Sequence, residues 1–293
     1  MESSIKLVAI SILLILFEVS GFSQVNPKIT KALELSKLGK FDEALLVIQD
    51  AELGNSAQNY YLYGFILKEC YKHNELGKFQ SSLRNEAVKK LLKSIELDSK
   101  KEVSSNAQLA LGYLSSTWYN DALSATILMD SSTMKIPEEL FISAQKIHQG
   151  SEQELLNMEE EFLSKLAEGH YRLWAINTEN AFHLNECVRI YKLLVTKFPG
   201  TCTAHLNLAI ISYNQGIFVI RSAGTSTNLE DLFTIQDRSI QKFKEALPFA
   251  EKSFSDCKPQ ETNFKVLLYI NKALGNDEEV KRIQSEMKKR FDD

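Results

Sequence analysis

The stretch Leu38-Gly39-Lys40-Phe41-Asp42-Glu43-Ala44-Leu45-Leu46-Val47-Ile48-Gln49-Asp50-Ala51 decides the reading of this chain. Gly39 takes a left-handed backbone without steric cost and so closes one helix, and Asp42 and Glu43 sit at the positive end of the next. Phe41, Ala44, Ile48 and Ala51 recur three and four residues apart, which puts them on one helical face. The alanines let a neighbouring helix approach closely, while Phe41 and Ile48 supply apolar area. Upstream, Ala32 and Leu35 give the matching face of a first helix, so the segment predicts a helical hairpin.

The same grammar recurs in one register. Ala44 aligns with Ala87, Ala122, Leu156, Cys187, Ala246 and Val280, at separations of 43, 35, 34, 31, 59 and 34 residues. This pattern of small, aromatic and alanine positions resembles the tetratricopeptide repeat, a hairpin of two antiparallel helices about 34 residues long. The resemblance implies an all-α chain, a right-handed superhelical α-solenoid of about fourteen helices stacked as seven hairpins. In this register the third hairpin turns near Trp118 and Tyr119, and the fourth turns at Gly150-Ser151. The fifth spans roughly 169–199, and the sixth carries about 25 surplus residues as a long protruding hairpin around 217–239. About ten extra polar residues, around Lys72 to Arg84, read as an extended turn or a lengthened helix start. Pro248 fits the first turns of a helix and would kink an interior.

Composition agrees with a helical chain. The 293 residues are 44% hydrophobic and 25% charged, with only 12 glycines and 5 prolines. A net charge of −4 argues against a nucleic-acid partner, which calls for a basic face. Residues 1–23 read as a secretory signal peptide: Lys6 is followed by an apolar run from Leu7 to Phe17, with Gly21 and Ser23 at the positions a signal peptidase reads. The run is too short for a membrane span, which needs about 20 apolar residues. Cleavage after Ser23 leaves residues 24–293 as the mature chain with no integral span; the alternative is an uncleaved N-terminal anchor. The leader junction and the repeat grammar resemble exported repeat proteins of Gram-negative bacteria, which implies a periplasmic or secreted protein.

No catalytic constellation emerges. His73, His148, His170, His183 and His205 have no partners at metal-ligand spacing, there is no glycine-rich phosphate loop, and Glu159, Glu160 and Glu161 read as a solvated face. Cys70, Cys187, Cys202 and Cys257 include no Cys-x-x-Cys pair. The reading is therefore no enzyme, no metal and no cofactor. In an oxidising compartment Cys202 and Cys257 are the candidate disulfide, because antiparallel helices bring the start of one and the end of the next together. Cys187 and Cys202 flank a helix and stand too far apart.

What remains is surface. The resemblance implies a concave groove lined by the first helix of each hairpin, binding a peptide or protein segment: Tyr61, Phe65 and Lys68, then Leu111 and Leu114, Arg172 and Ile176, and Asn207, Ile210 and Tyr213. The family's carboxylate-gripping version uses repeated lysine, asparagine and arginine; these places hold mainly Tyr, Phe, Leu and Ile, which favours an apolar or extended partner. On the long hairpin, Ile217-Phe218-Val219-Ile220 and Leu229, Leu232, Phe233 and Ile235 are too many apolar residues for a solitary protrusion to bury. Phe218 and Phe233 therefore mark either a partner-binding or self-association element or packing on a neighbouring hairpin. The expected function is a non-enzymatic exported interaction scaffold; the alternative is an accessory subunit of an envelope secretion or surface-assembly complex.

Overall fold

The computed structural model describes residues 26–178, 180–224, 227–256 and 260–291. The segment read as a signal peptide, and Cys257, lie outside them. The described residues are all α: twelve helices and no strand. The chain divides into two units, one ending at Met158 and one beginning at Glu159.

In the first unit, α1 (Pro27–Lys37) starts where Asn26 accepts the Lys28 amide, with Pro27 supplying a helical φ at the first position. Gly39, at φ +74°, closes it, and α2 (Phe41–Ile48) follows with Ala44 and Ile48 fully buried. Ala51 falls outside α2, which ends three residues earlier. Helix α3 (Ala57–Asn74) begins at a Ser56 cap and α4 (Ser82–Leu97) at a Ser81 cap. The two approach closely because Gly64 has no side chain: a Cβ there would stand 2.8 Å from Leu91 Cγ. Helix α5 (Ser104–Leu128) then packs on α4, and α6 (Ile136–Lys146) on α5. Leu62, Ile66, Leu91, Leu111 and Leu114 form the centre of this core.

The second unit holds the larger part of α7 (Glu152–Ile176), then α8 (Ala181–Lys197), α9 (Cys202–Arg221), α10 (Leu229–Ser255), α11 (Glu261–Leu274) and α12 (Asp277–Phe291). Its core joins Ala209, Ala246 and Ala250 to Phe264, Leu267, Ile270 and Ile283. Gly216 faces Phe243 across α9 and α10; a Cβ there would lie 2.5 Å from the ring. Pro248 sits well inside α10 rather than in its first turns. Glu159 and Glu160 are not a simply solvated face: they accept hydrogen bonds from Lys197 Nζ and Thr201 Oγ1.

The repeat register expects fourteen helices, and two missing breaks account for the difference. No turn interrupts α5 at Trp118 and Tyr119. Ser116, Thr117, Trp118 and Tyr119 include neither glycine nor proline, so nothing stops the helix, and Trp118 and Asp121 are buried along it. Likewise α7 runs unbroken through Gly169, whose position is buried and tolerated within the helix.

The extra residues, which end in the first turn of α4, also differ from a loose polar turn. Arg84 is fully buried. Its Nη1 donates to Asp121 Oδ2 at 2.6 Å, to Tyr71 Oη at 3.0 Å and to Thr117 Oγ1 at 3.4 Å. Its Nη2 donates to the Phe79 carbonyl at 2.9 Å, and the guanidinium lies 5.0 Å from the ring centres of both Tyr71 and Trp118. A buried cation needs a carboxylate and several acceptors together, and this site provides them from α3, α5 and the 75–81 loop.

Candidate functional site: an apolar cavity in the second unit

The C-terminal part of α7, the start of α8 and the second half of α9 enclose a cavity of about 780 Å³. Helix α7 contributes Tyr171 and Trp174, three apart on one face, with ring centres 5.5 Å from each other. Helix α8 adds Leu184, and α9 adds Ile211, Tyr213, Ile217 and Phe218. Two cations, Arg221 and Lys242, complete the wall, and among the described residues no carboxylate lines it. That is notable in a chain of net charge −4. Lys242 is bonded to Glu245 at 2.7 Å, so the uncommitted positive charge is that of Arg221, which has no partner among the described residues.

The walls are held from behind. Tyr213 packs 5.4 Å from the Phe243 ring and 6.5 Å from that of Tyr269, and burial followed by the neighbouring Tyr269 pushes its hydroxyl pKa up. On α9, Phe218 and Gly216 are two residues, or about 200°, apart. Because Gly216 meets α10, Phe218 points away from α10 and is 73% exposed on the cavity wall. Size, apolar walls and few polar groups are the attributes of a site that takes an apolar ligand group.

The residues expected to line a groove divide sharply. In the first unit Leu111 and Leu114 are fully buried and Tyr61 nearly so; they are core side chains and offer a partner no surface. Burial, followed by the charge of Glu69, pushes the Tyr61 hydroxyl up to about 12. Phe65 and Lys68 are half-buried and occupied with each other, the ammonium 4.5 Å from the ring centre, while Lys68 also pairs with Glu69 at 2.5 Å. In the second unit Tyr213 and Phe218 meet in the cavity. Asn207 instead donates to Tyr191 Oη at 2.8 Å, and Ile210 is half-buried outside the cavity wall. Arg172 and Ile176 flank the face that Tyr171 and Trp174 present; Ile176 is 78% exposed. Phe233, 58% exposed, lies on α10 and not in the cavity. Tyr171 and Trp174 escape the sequence reading because it begins a new helix at Gly169, whereas α7 carries its face through unbroken.

A second concavity, in the first unit, is lined mainly by polar side chains, among them Gln108 and Ser116 of α5 and Gln149. It presents only Leu109 and Met158 as large apolar groups.

Two buried histidines, thirteen residues apart in sequence, meet in the second unit. His170 Nδ1 and His183 Nδ1 are 3.1 Å apart, one donating and the other accepting. Burial, then the proximity of His183, pushes His170 down to about 4. Among the described residues no three metal-ligating side chains cluster. His205 is buried on α9, with Nε2 3.1 Å from the Pro199 carbonyl. Cys70 and Cys187 are free and buried, and Cys202 is disulfide-bonded. No described helix is long and apolar enough to cross a membrane. No protein-family model matches this chain, and no curated protein matches it.

Proposed function

We propose that this chain is a non-enzymatic interaction protein whose second unit receives an apolar segment of a partner polypeptide. The observation that carries the reading is the cavity walled by Trp174, Tyr213 and Phe218, with cations and, among the described residues, no carboxylate. An aromatic wall beside an arginine with no partner among the described residues suits an apolar side chain flanked by acidic residues. In this reading the helices follow the tetratricopeptide scheme as a right-handed α-solenoid, with two of the expected hairpin breaks fused. The leader is removed after Ser23, and the protein works in the periplasm or outside the cell. Exposed Phe233 and Leu229 on α10 favour a second reading, an accessory subunit held in an envelope complex, because they leave apolar surface uncovered.

The test is site-specific photo-cross-linking in the native envelope. A photoreactive residue at Phe218 is expected to yield a discrete adduct, and one at exposed Lys89 none. Leu184→Glu, which places a charge in the cavity wall, is expected to abolish the Phe218 adduct. An adduct indifferent to Leu184→Glu would overturn the assignment of the cavity.

A further inference from the structure

Helix α10 carries a second exposed stripe, distinct from the cavity. Ser239, Phe243, Ala246 and Ala250 are its buried side. Leu229, Phe233, Gln236, Ile240 and Lys244 follow at spacings of four, three, four and four, a single stripe rotated roughly a quarter-turn from the buried side. Leu229 is 67% exposed and Phe233 58%, while Ile240 is half-buried. Beside the stripe stand Glu230 and Asp237. The side-chain charges of Glu230, Asp237 and Lys244 have no partner among the described residues.

The charges are ordered along the helix. Over residues 229–244, Glu230, Asp231 and Asp237 come first and Arg238, Lys242 and Lys244 after them; Glu245 and Glu251 lie beyond this stretch, and Glu245 pairs with Lys242. Such a helix is complementary to itself when a copy runs antiparallel. We infer that a second copy of this chain covers this face, α10 against α10 about a two-fold axis centred between Gln236 and Asp237. In that register Phe233 of each copy lies against Ile240 of the other. The stem of Lys244 lies over Leu229, and its ammonium reaches Glu230. The two-fold axis makes every contact twice. A parallel pairing would set acid against acid and base against base, so the charge order selects the antiparallel one.

The stripe from Leu229 to Lys244 is about 22 Å long. A pair of such helices buries less than the roughly 1,200 Å² of a standard stable interface, so the dimer is weak and reversible. This inference is independent of the cavity: a strictly monomeric chain would leave the proposed partner-binding function standing.

Sedimentation velocity of the mature chain over a concentration series tests it. The expected result is a mass that rises reversibly from one chain toward two. Phe233→Asp, at an exposed position, is expected to hold the chain monomeric with unchanged helical circular dichroism. Glu230→Lys and Lys244→Glu, each alone, are expected to weaken the dimer about tenfold by opposing like charges. Combined in one chain they restore it. A mass that stays at one chain throughout overturns the inference. So does a dimer insensitive to Phe233→Asp, or a double reversal weaker than either single change.

Discussion

Arg84 and Asp121, 37 positions apart, form a 2.6 Å ion pair in which the arginine has no solvent exposure. Removing the carboxylate leaves a buried cation with only neutral acceptors. Asp121→Ala is therefore expected to cost about 3–5 kcal/mol. Replacing both partners by apolar residues, Arg84→Met with Asp121→Leu, is expected to recover most of that loss. Urea denaturation midpoints of the two variants and the unaltered chain check it. Equal destabilisation by the single and the double changes would show that the pair is not what matters at this site.

Gly216 leaves room for the Phe243 ring, and a methyl group there would stand 2.5 Å from it. Gly216→Ala is expected to cost about 1–3 kcal/mol through overpacking, more than the small gain an alanine brings to a helix interior. With Phe243→Leu the penalty is expected to shrink. A double-mutant cycle on thermal unfolding reads the coupling; additive effects would contradict the contact.

His170 is buried, and burial together with His183 holds its pKa at about 4, below the ordinary histidine value of 6.5. The unfolded chain thus binds a proton that the folded chain refuses. Stability tied to this group is full above about pH 6.5 and is lost as pH falls toward about 4, by up to roughly 3 kcal/mol. Glu186 works against the shift and Arg189 with it. His170→Gln is expected to flatten the stability profile between those two values. The measurement is denaturant unfolding at half-unit pH steps, and an unchanged slope would refute the assignment.

Cys202 is disulfide-bonded, while Cys70 and Cys187 are free and buried, where burial pushes both thiols up to about 12. Cys257 is the proposed partner of Cys202. Thiol titration of denatured, unreduced protein from an oxidising compartment should find two thiols, not four, and peptide mapping should join 202 to 257. Such a bridge closes a loop of about 55 residues and contributes up to roughly 4 kcal/mol. Reduction should lower the unfolding midpoint accordingly.

The helical class was legible because small residues recur at helical spacing, and Ala44, Ala87, Ala122, Cys187 and Ala246 are all fully buried. The breaks were less so. A period of about 34 residues demands a turn near Trp118, but local chemistry decides where a helix stops, and no breaker stands there. Arg84 was illegible for another reason: an arginine in a polar run reads as surface, and only the fold shows Asp121 and two aromatic rings converging on it. The cavity was half visible. Tyr213 and Phe218 were singled out, but Tyr171 lies one residue before Arg172 and Trp174 two before Ile176, and each one-residue shift turns a helical side chain by about 100°.

Helix α5 has a mechanical consequence. Its 25 residues form a rod about 37 Å long with no interior joint, so bending within the first unit falls to its two ends. The near end is fastened by one aspartate, and a second orders the turn beyond the far end. At the near end, burial works to raise the Asp98 pKa, yet the Ser104 hydroxyl and the amides of Val103, Glu102 and Ser104 outweigh it and hold the group ionised. At the far end, Asp130 accepts from the hydroxyls and amides of Ser132 and Thr133. A rod with no interior joint transmits force instead of absorbing it. The first unit should meet a partner as a stiff body, with slow amide exchange along α5, and any adjustment on binding should come from elsewhere in the chain.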